Sequence, residues 1–213
     1  MELPLFPLST VLYPGAPIPL HVFEDRYRQM FARVLGGGRR FGVVAITSGR
    51  DVDPAPEFQP VGCVAEVREV RPYPDGRMDV VATGGARFKV DRVTQTSPYI
   101  VAVVSELQEH AGEQAEARSR VARSLFARYL NALVAMAGEP GEEVELPDDP
   151  VAASYLLAAG LQVDLPDKQR LLALPSAAER LLAEIRLLRR ELALFERLEA
   201  NGPAPMAGPF SLN

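Results

Sequence analysis

Two histidines, one cysteine and scattered carboxylates are the side chains of this 213-residue chain most suited to nucleophilic, acid–base or metal chemistry. A cysteine nucleophile needs a neighbouring base or cation and some exposure. Cys63, in a run where Val61, Cys63, Ala65 and Val67 alternate with Gly62, Val64, Glu66 and Arg68, is expected to face inward as an inert small hydrophobe. His21 and His110 lack the paired spacing of a zinc helix. His21 precedes Phe23-Glu24-Asp25-Arg26 and is expected to hydrogen-bond or pack locally, while His110 lies in a polar stretch and is expected to be solvated. Glu24, Asp25, Arg26 and Arg28 form a charged cluster, but acidic residues early in a helix follow from the helix dipole alone. Glu24 and Arg26 are expected to lock the first helix to the sheet. Gly36-Gly37-Gly38-Arg39-Arg40 has the glycines of a phosphate loop, yet it follows a helix, and Phe41-Gly42 stand where lysine and Ser/Thr are needed. It is read as a helix stop. No Gly-x-Ser-x-Gly elbow occurs. The expectation is no catalytic residue, no cofactor and no metal.

The bulk numbers narrow the class further. A hydrophobic content of 47% with 24% charged residues is ordinary for a folded globular protein. The net charge of -5 gives no long-range attraction for phosphate backbones, so a nucleic-acid partner is not expected. A single cysteine excludes an intramolecular disulfide. No apolar run approaches the roughly 18 residues of a spanning helix, and the start lacks a secretory pattern, so a cytoplasmic protein away from membranes is expected.

The elements that must position any site divide the chain in two. Pro4, Pro7, Pro14 and Pro17 force the opening segment to lie along an edge or cross a sheet. Phe23, Tyr27, Met30, Phe31 and Val34 then recur at helical spacing. From Phe41 to about Leu107 the chain is valine-rich and punctuated, the texture of an antiparallel sheet. Phe41 to Ile46 suits a doubly buried strand, Pro74-Asp75-Gly76 a hairpin turn, and Gly84-Gly85 a bend or bulge. Five or so strands in sequence order suggest a closed or nearly closed barrel. After Leu107 the pattern is helical: Val121, Leu125, Tyr129, Leu133 and Met136 share a face, ended by Gly138 and Pro140-Gly141. Asp149-Pro150 opens a second helix that ends near Gly160, and Pro166 opens a third through Leu174. Ser176 and Glu179 have capping-box spacing before the last helix, whose stripe is Leu181, Leu182, Ile185, Leu188, Leu192 and Phe195. Its other face, with Arg186, Arg189, Arg190 and Arg197 among Glu179, Glu184, Glu191 and Glu196, is expected to be solvated. The expected organisation is an α+β protein: a β domain with one helix over 1–107, a helical bundle over 108–202 ended by Asn201-Gly202-Pro203, and a flexible tail over 203–213.

Several separated segments resemble one family in order. They are Leu3-Pro4-Leu5-Phe6-Pro7-Leu8, Ile18-Pro19-Leu20-His21-Val22-Phe23-Glu24-Asp25-Arg26-Tyr27-Arg28, Phe41-Gly42-Val43-Val44, Val61-Gly62-Cys63-Val64-Ala65-Glu66, Pro74-Asp75-Gly76-Arg77, Gly84 with Arg87-Phe88, Pro98-Tyr99, and Lys168-Gln169-Arg170-Leu171-Leu172 with Arg180-Leu181. Together they resemble the N-terminal domain of Lon proteases. The resemblance implies a PUA-like antiparallel barrel followed by a helical bundle, and a role in recognising unfolded or tagged polypeptides and in assembly. Lon proteases continue into an ATPase module and a peptidase module, and neither pattern occurs in these 213 residues. A stand-alone, non-enzymatic substrate-binding domain is the expectation, with a separate protease as a possible partner for it as an adaptor. RNA binding, which PUA-like barrels can perform, is the alternative.

With no catalytic constellation, function is expected in a binding surface that uses apolar groups and main-chain hydrogen bonds. Tyr13, Pro14, Pro17 and Ile18 in the proline-rich opening, and Tyr73 and Pro74 at the hairpin tip, are the candidate polypeptide-binding residues. The competing expectation has Tyr13 and Ile18 packed on the barrel and Tyr73 covering an interface with the helices.

Overall fold

Pro4 and Pro7 lie in β1 (Glu2–Leu8), a strand with partners on both sides. Its antiparallel ladder to β7 (Ile100–Glu106) uses residues 2–5, and its parallel ladder to β3 (Arg40–Ser48) uses residues 5–8. Only Leu5 is flanked twice. The two ladders are staggered, so each proline keeps one open side and the strand crosses between neighbours without a missing donor in a shared position.

The computed structural model describes residues 1–48, 56–137 and 145–200, with side chains described as far as Arg197. The expected stops at Gly138, Pro140-Gly141 and Asn201-Gly202-Pro203, and the expected tail, lie outside the described residues. The remaining elements are β2 (Pro17–Val22), α1 (Asp25–Gly36), β4 (Glu57–Phe58), β5 (Val61–Pro72), β6 (Met78–Gln95), α2 (Ala115–Ala137), α3 (Pro150–Gly160), α4 (Leu165–Ala173) and α5 (Ala177–Ala200). The fold is α+β. Its ladders are antiparallel apart from β1–β3, and they run β1–β7–β6–β5–β3 and back to β1. The purely antiparallel sheet expected from the sequence is therefore corrected at one ladder. A long excursion through β2 and α1 separates β1 from β3, which is what a parallel pair requires.

Each face of this ring of strands is buried. Leu3, Leu5, Val44, Val64, Phe88, Ile100, Ala102 and Val104, drawn from all five ring strands, form one cluster. Gly42 and Gly62 make room for its largest ring: a Cβ at either would come within 2.7 Å of Phe88. The other face joins a larger cluster that runs from Phe6, Phe31 and Phe41 to Phe126, Leu171, Leu181 and Leu188. One apolar cluster thus spans the boundary expected at residue 107. Gly84 is the bend in β6: the β5 register shifts between Cys63 and Ala65, and a Cβ on Gly84 would lie 2.0 Å from the Tyr13 carbonyl oxygen. The β1–β2 loop crosses there, stitched by Gly15 N–H to Gly84 O at 2.8 Å and Gly84 N–H to Ala16 O at 2.9 Å.

The helices follow their local signals. Asp149 caps α3 through Ala152 N–H at 2.8 Å, Asp164 caps α4 through Asp167 N–H at 2.9 Å, and Ser176 accepts from Glu179 N–H at 3.3 Å before α5. Leu181, Ile185, Leu188 and Leu192 are buried, each worth about 1.5–3 kcal/mol if taken fully from water. Two helix faces depart from expectation. In α2 the buried line is Ala115, Ser119, Ala122, Phe126 and Tyr129, whereas Val121 and Met136 are 43% and 58% exposed. Small residues let α2 approach closely enough for Phe126 to fill the space over Gly160, and size-blind periodicity selects the neighbouring face. Phe23 precedes α1 and is 54% exposed instead of joining Tyr27, Met30, Phe31 and Val34 in the core.

Candidate functional site

Among the described residues β2 pairs only with β6, and none of them pairs with its other edge. Pro17 and Pro19 have no N–H, so the ladder bonds must come from Ile18, Leu20 and Val22, and the free edge offers carbonyls with few donors. An edge of this kind resists pairing with another sheet while still accepting hydrogen bonds. Beside it lies a cavity of about 340 Å³ between the end of β1, β2 and the start of α1. Its walls include Phe6, Leu8, Leu20 and Tyr27, with exposed Phe23 at the lip.

The hairpin tip between β5 and β6 lies next to β2, where Tyr73 meets His21 edge-on. Tyr73 N–H donates to Arg77 O at 2.9 Å and Gly76 N–H to Tyr73 O at 3.0 Å. Gly76 takes φ +85°, which a side chain would strain. The tip is tied to α1 by Arg28, which donates to Asp75 O at 3.1 Å and pairs with Asp25. On β2, His21 Nδ1 lies 2.6 Å from Oδ1 of Asp79 on the facing β6, and the Tyr73 hydroxyl donates to Asp79 Oδ2. The His21 hydrogen bond first, and then that of Tyr73, holds the Asp79 carboxyl below its usual range. The same bond to Asp79 raises the Tyr73 phenol. His21 stacks on Phe23 at 6.0 Å between centroids and meets Tyr73 edge-on at 6.2 Å. Arg71 and Arg77 sit 5.8 and 5.9 Å from the Tyr73 ring centre. An open aromatic patch, Phe23–His21–Tyr73, therefore borders the cavity.

The structure separates the expected binding residues. Tyr73 is partly exposed and Pro74 and Pro17 are exposed, while Pro14 is half-buried. Tyr73 sits against β2 and Asp79 rather than over the helices. Tyr13 and Ile18 are only 1% and 8% exposed, so neither offers a surface in this conformation. The Tyr13 hydroxyl reaches across to α4 and donates to Lys168 O at 2.8 Å. Burial pushes its phenol up. Phe23 and His21 are the surface residues that helical periodicity and a packing role concealed; the signal available was that Phe23 stands before the first helix cap. Arg26 Nε donates to Glu24 at 2.9 Å, a bond within the first turn of the helical segment.

Cys63 is fully buried and burial pushes its thiol up. The hydrogen bond of His21 to Asp79 crosses the β2–β6 ladder rather than staying within the segment that leads into α1. Among the described residues no three His, Cys, Asp or Glu side chains converge as metal ligands, and no helix is long and apolar enough to cross a membrane.

A second polar cluster lies between the sheet and the helices. Arg87 is buried, donates to Glu109 at 2.7 and 3.2 Å, and donates to the carbonyls of Leu172 and Leu174 at 2.7 Å each. The Tyr155 hydroxyl donates to Glu109 at 2.6 Å. Buried Arg180 lies 3.7 Å over the Tyr155 ring and donates to Ser154 at 3.1 Å. Burial lowers Arg180 and raises Tyr155. Glu184, expected on the solvated face of α5, is instead fully buried, and neither carboxylate oxygen has a hydrogen-bond partner among the described residues. Burial raises its carboxyl well above the ordinary range. The reason is geometric: Glu184 lies one turn beyond Arg180 and three residues beyond Leu181, so the core face of α5 carries it inward.

The fold and site define an α+β domain with its helices laid on the outer face of a ring of strands and an aromatic-lipped cavity beside the free edge of β2. Comparison with known proteins identifies the lineage. Residues 2–190 match the family model of the ATP-dependent protease La (LON) substrate-binding domain, and the chain belongs to that family. It is 27% identical over 202 residues to the Lon protease of Flavobacterium johnsoniae, covering 92% of this chain and 25% of that protein. It is 29% identical over 186 residues to the Lon protease of Xanthomonas oryzae pv. oryzae, covering 85% of this chain and 22% of that one. The chain thus spans about a quarter of the length of these relatives. Its fold is similar to a Lon N-terminal domain protein from Xanthomonas campestris, with a TM-score of 0.61 at 24% identity over 95% of this chain and 99% of that one. It is also similar to the N-terminal domain of the Mycobacterium avium complex Lon protease, with a TM-score of 0.68 at 17% identity over 89% and 98%.

Proposed function

We propose that this domain binds non-native polypeptides without transforming them, by receiving an extended apolar segment in the cavity beside β2. The observation that carries this is Phe23, a large exposed side chain at the lip of an apolar recess whose adjoining strand edge presents acceptors. Pro17, Tyr73 and Pro74 border the surface a bound segment would cover; Ile18 anchors β2 in the core, and Tyr13 and Pro14 lie in the loop that leads into it. The same reading takes the ring of ladders as a small PUA-like barrel and α2–α5 as its companion bundle. The inner cluster, with residues from every ring strand, supports the barrel, and the shared burial of α2, α3 and α5 supports the bundle. Partners would be unfolded or tagged polypeptides in the cytoplasm, handed on to a separate protease if the domain acts as an adaptor.

Anisotropy with a labelled, permanently unfolded model protein tests the reading. Binding above that of a native control, weakened at least about fivefold by Phe23→Asp, is the expected result. Equal signals for the unfolded and native proteins overturn it. RNA binding has one observation in its favour, the Tyr73 ring flanked by Arg71 and Arg77. Asp75 pairs with Arg77 at 2.7 Å and Asp79 stands beside Tyr73, so that patch is locally neutralised. A single-stranded oligonucleotide that competes with the unfolded protein in a salt-sensitive way would favour RNA instead.

A further inference from the structure

Helix α4 separates two recesses remote in the chain from the β2 cavity. The first, about 460 Å³, lies between α4 and the adjoining parts of β3 and β5, with Ile46, Pro60, Val61, Leu165 and Pro166 among its apolar walls. The second, about 160 Å³, lies between α4 and α5 and is bordered by Leu171, Leu187, Arg186 and Arg190. Arg170 borders both.

Three polar features stand out in these walls. Gln169 is only 7% exposed and donates through Nε2 to Val61 O at 2.9 Å, but its buried Oε1 has no hydrogen-bond partner among the described residues. A buried amide acceptor left open is costly unless something donates to it. Arg170 and Arg186 are exposed and make no hydrogen bond or ion pair with any described residue. Arg190, in contrast, is held by Asp167 at 3.1 Å and Glu191 at 3.0 Å. In a chain of net charge -5, two unpaired guanidinium groups beside an apolar recess reverse the overall sign locally. Apolar walls fit apolar side chains, the open amide oxygen fits a main-chain or amide N–H, and the guanidinium fork fits a carboxylate.

We propose that the α4 face is a second polypeptide subsite, selective for an extended segment in which acidic residues adjoin apolar ones. This rests on the polypeptide-binding reading above and adds a charge preference that the β2 cavity does not supply. The apolar walls favour a polypeptide over a nucleic acid, whose phosphates would engage the arginines and leave the recess unfilled.

Fluorescence anisotropy of the full chain tests it with short synthetic peptides in which leucines are spaced by polar residues. One peptide carries paired aspartates; its twins carry asparagine or lysine in their place. The aspartate peptide is expected to bind tightest, and Arg170→Glu and Arg186→Glu each to weaken it roughly fivefold while leaving the asparagine twin unchanged. Both arginines are exposed, so the variants should melt like the parent. Phe23→Ser should leave the preference among the three peptides intact. Equal binding of the three peptides, or a preference that survives Arg170→Glu, overturns the subsite. Peptide binding that responds only to Phe23→Ser overturns the subsite and leaves the β2 reading standing, whereas no peptide binding overturns both. Displacement of the aspartate peptide by a single-stranded oligonucleotide, lost in Arg170→Glu, also overturns it by assigning the arginines to phosphate.

Discussion

The molecule builds two clusters from the same kinds of residue, a tyrosine, arginines and carboxylates, and places one in water and the other in the core. At the hairpin, Tyr73, Asp79, His21, Arg71 and Arg77 lie in the open, and the shift at Asp79 is set chiefly by hydrogen bonds. Between sheet and helices, Tyr155, Arg87, Arg180 and Glu184 lie out of water around the partly exposed Glu109 side chain, and the shifts at Tyr155, Arg180 and Glu184 are set first by burial. Solvent can replace a lost partner at the first cluster and cannot do so readily at the second. The open cluster is therefore suited to exchange partners with a ligand, and the buried one to hold two parts of the chain in one arrangement.

The largest effect that could break this contrast is at Arg87. It supplies four hydrogen bonds that connect β6 to the segment before α2 and to the end of α4. Arg87→Ala removes them together and leaves the buried Leu172 carbonyl and the partly buried Leu174 carbonyl without this donor, while Glu109 keeps only Tyr155 and the more distant Arg180, so it should cost about 2–4 kcal/mol. Urea unfolding measures this; a loss below about 1 kcal/mol would mean that the buried cluster is no more binding than the open one.

Glu184 sharpens the comparison through pH. A carboxyl raised above its ordinary value of 4.5 by burial makes the folded chain hold its proton longer than the unfolded one. Below that value both forms are protonated and no penalty exists. As pH rises, the unfolded chain releases its proton first and folding loses stability until the folded carboxyl also ionises. Glu184→Gln should therefore stabilise by about 1–3 kcal/mol near pH 8, with the gain vanishing near pH 4. Arg180 keeps Glu109 at 3.8 Å in the variant. Equal melting shifts at the two pH values would exclude desolvation as the cause.

These two residues also show which parts of the fold local sequence patterns carry and which they do not. Strands Phe41–Ile46 and the Pro74-Asp75-Gly76 turn, the caps at Asp149 and Ser176, and the stripe Leu181, Ile185, Leu188, Leu192 are local signals, and each is present in the fold. Glu184 carries no local sign of burial, because a glutamate among arginines on a helix reads as solvated. Arg87, Glu109, Tyr155 and Arg180 are far apart in sequence, and only the docking of helices on the sheet brings them together. At the candidate site, the hairpin tip was legible from its turn residues. The partnership of His21, Phe23 and Tyr73 depends on β2 pairing with β6, a long-range register that proline and periodicity do not encode.

Tyr155→Phe should show a smaller effect than either. It removes the 2.6 Å bond to Glu109 while keeping the ring under Arg180, so a loss of about 1–1.5 kcal/mol is expected. Tyr73→Phe removes the matching bond in the open cluster, where water can take its place at Asp79, and its melting temperature should fall less. Equal losses would mean that burial does not separate the two tyrosines.

The smallest stability effect should come from Asp79→Asn. Its folded carboxyl is held below 3.8 by His21 and Tyr73, so its contribution is present above that value and is lost as pH falls through the lower folded one. The side chain is 42% exposed, and solvent screens most of what the partners provide. The variant should melt close to the parent at pH 7 and at acid pH alike. Its effect belongs to the surface: without the carboxylate, His21 and Tyr73 lose the group they share, and the patch beside Phe23 is freed to rearrange. Binding of the unfolded model protein should change more than stability does. A marked loss of stability with unchanged binding would make this cluster a structural brace like the one around Arg87, and would remove the distinction between the two regions.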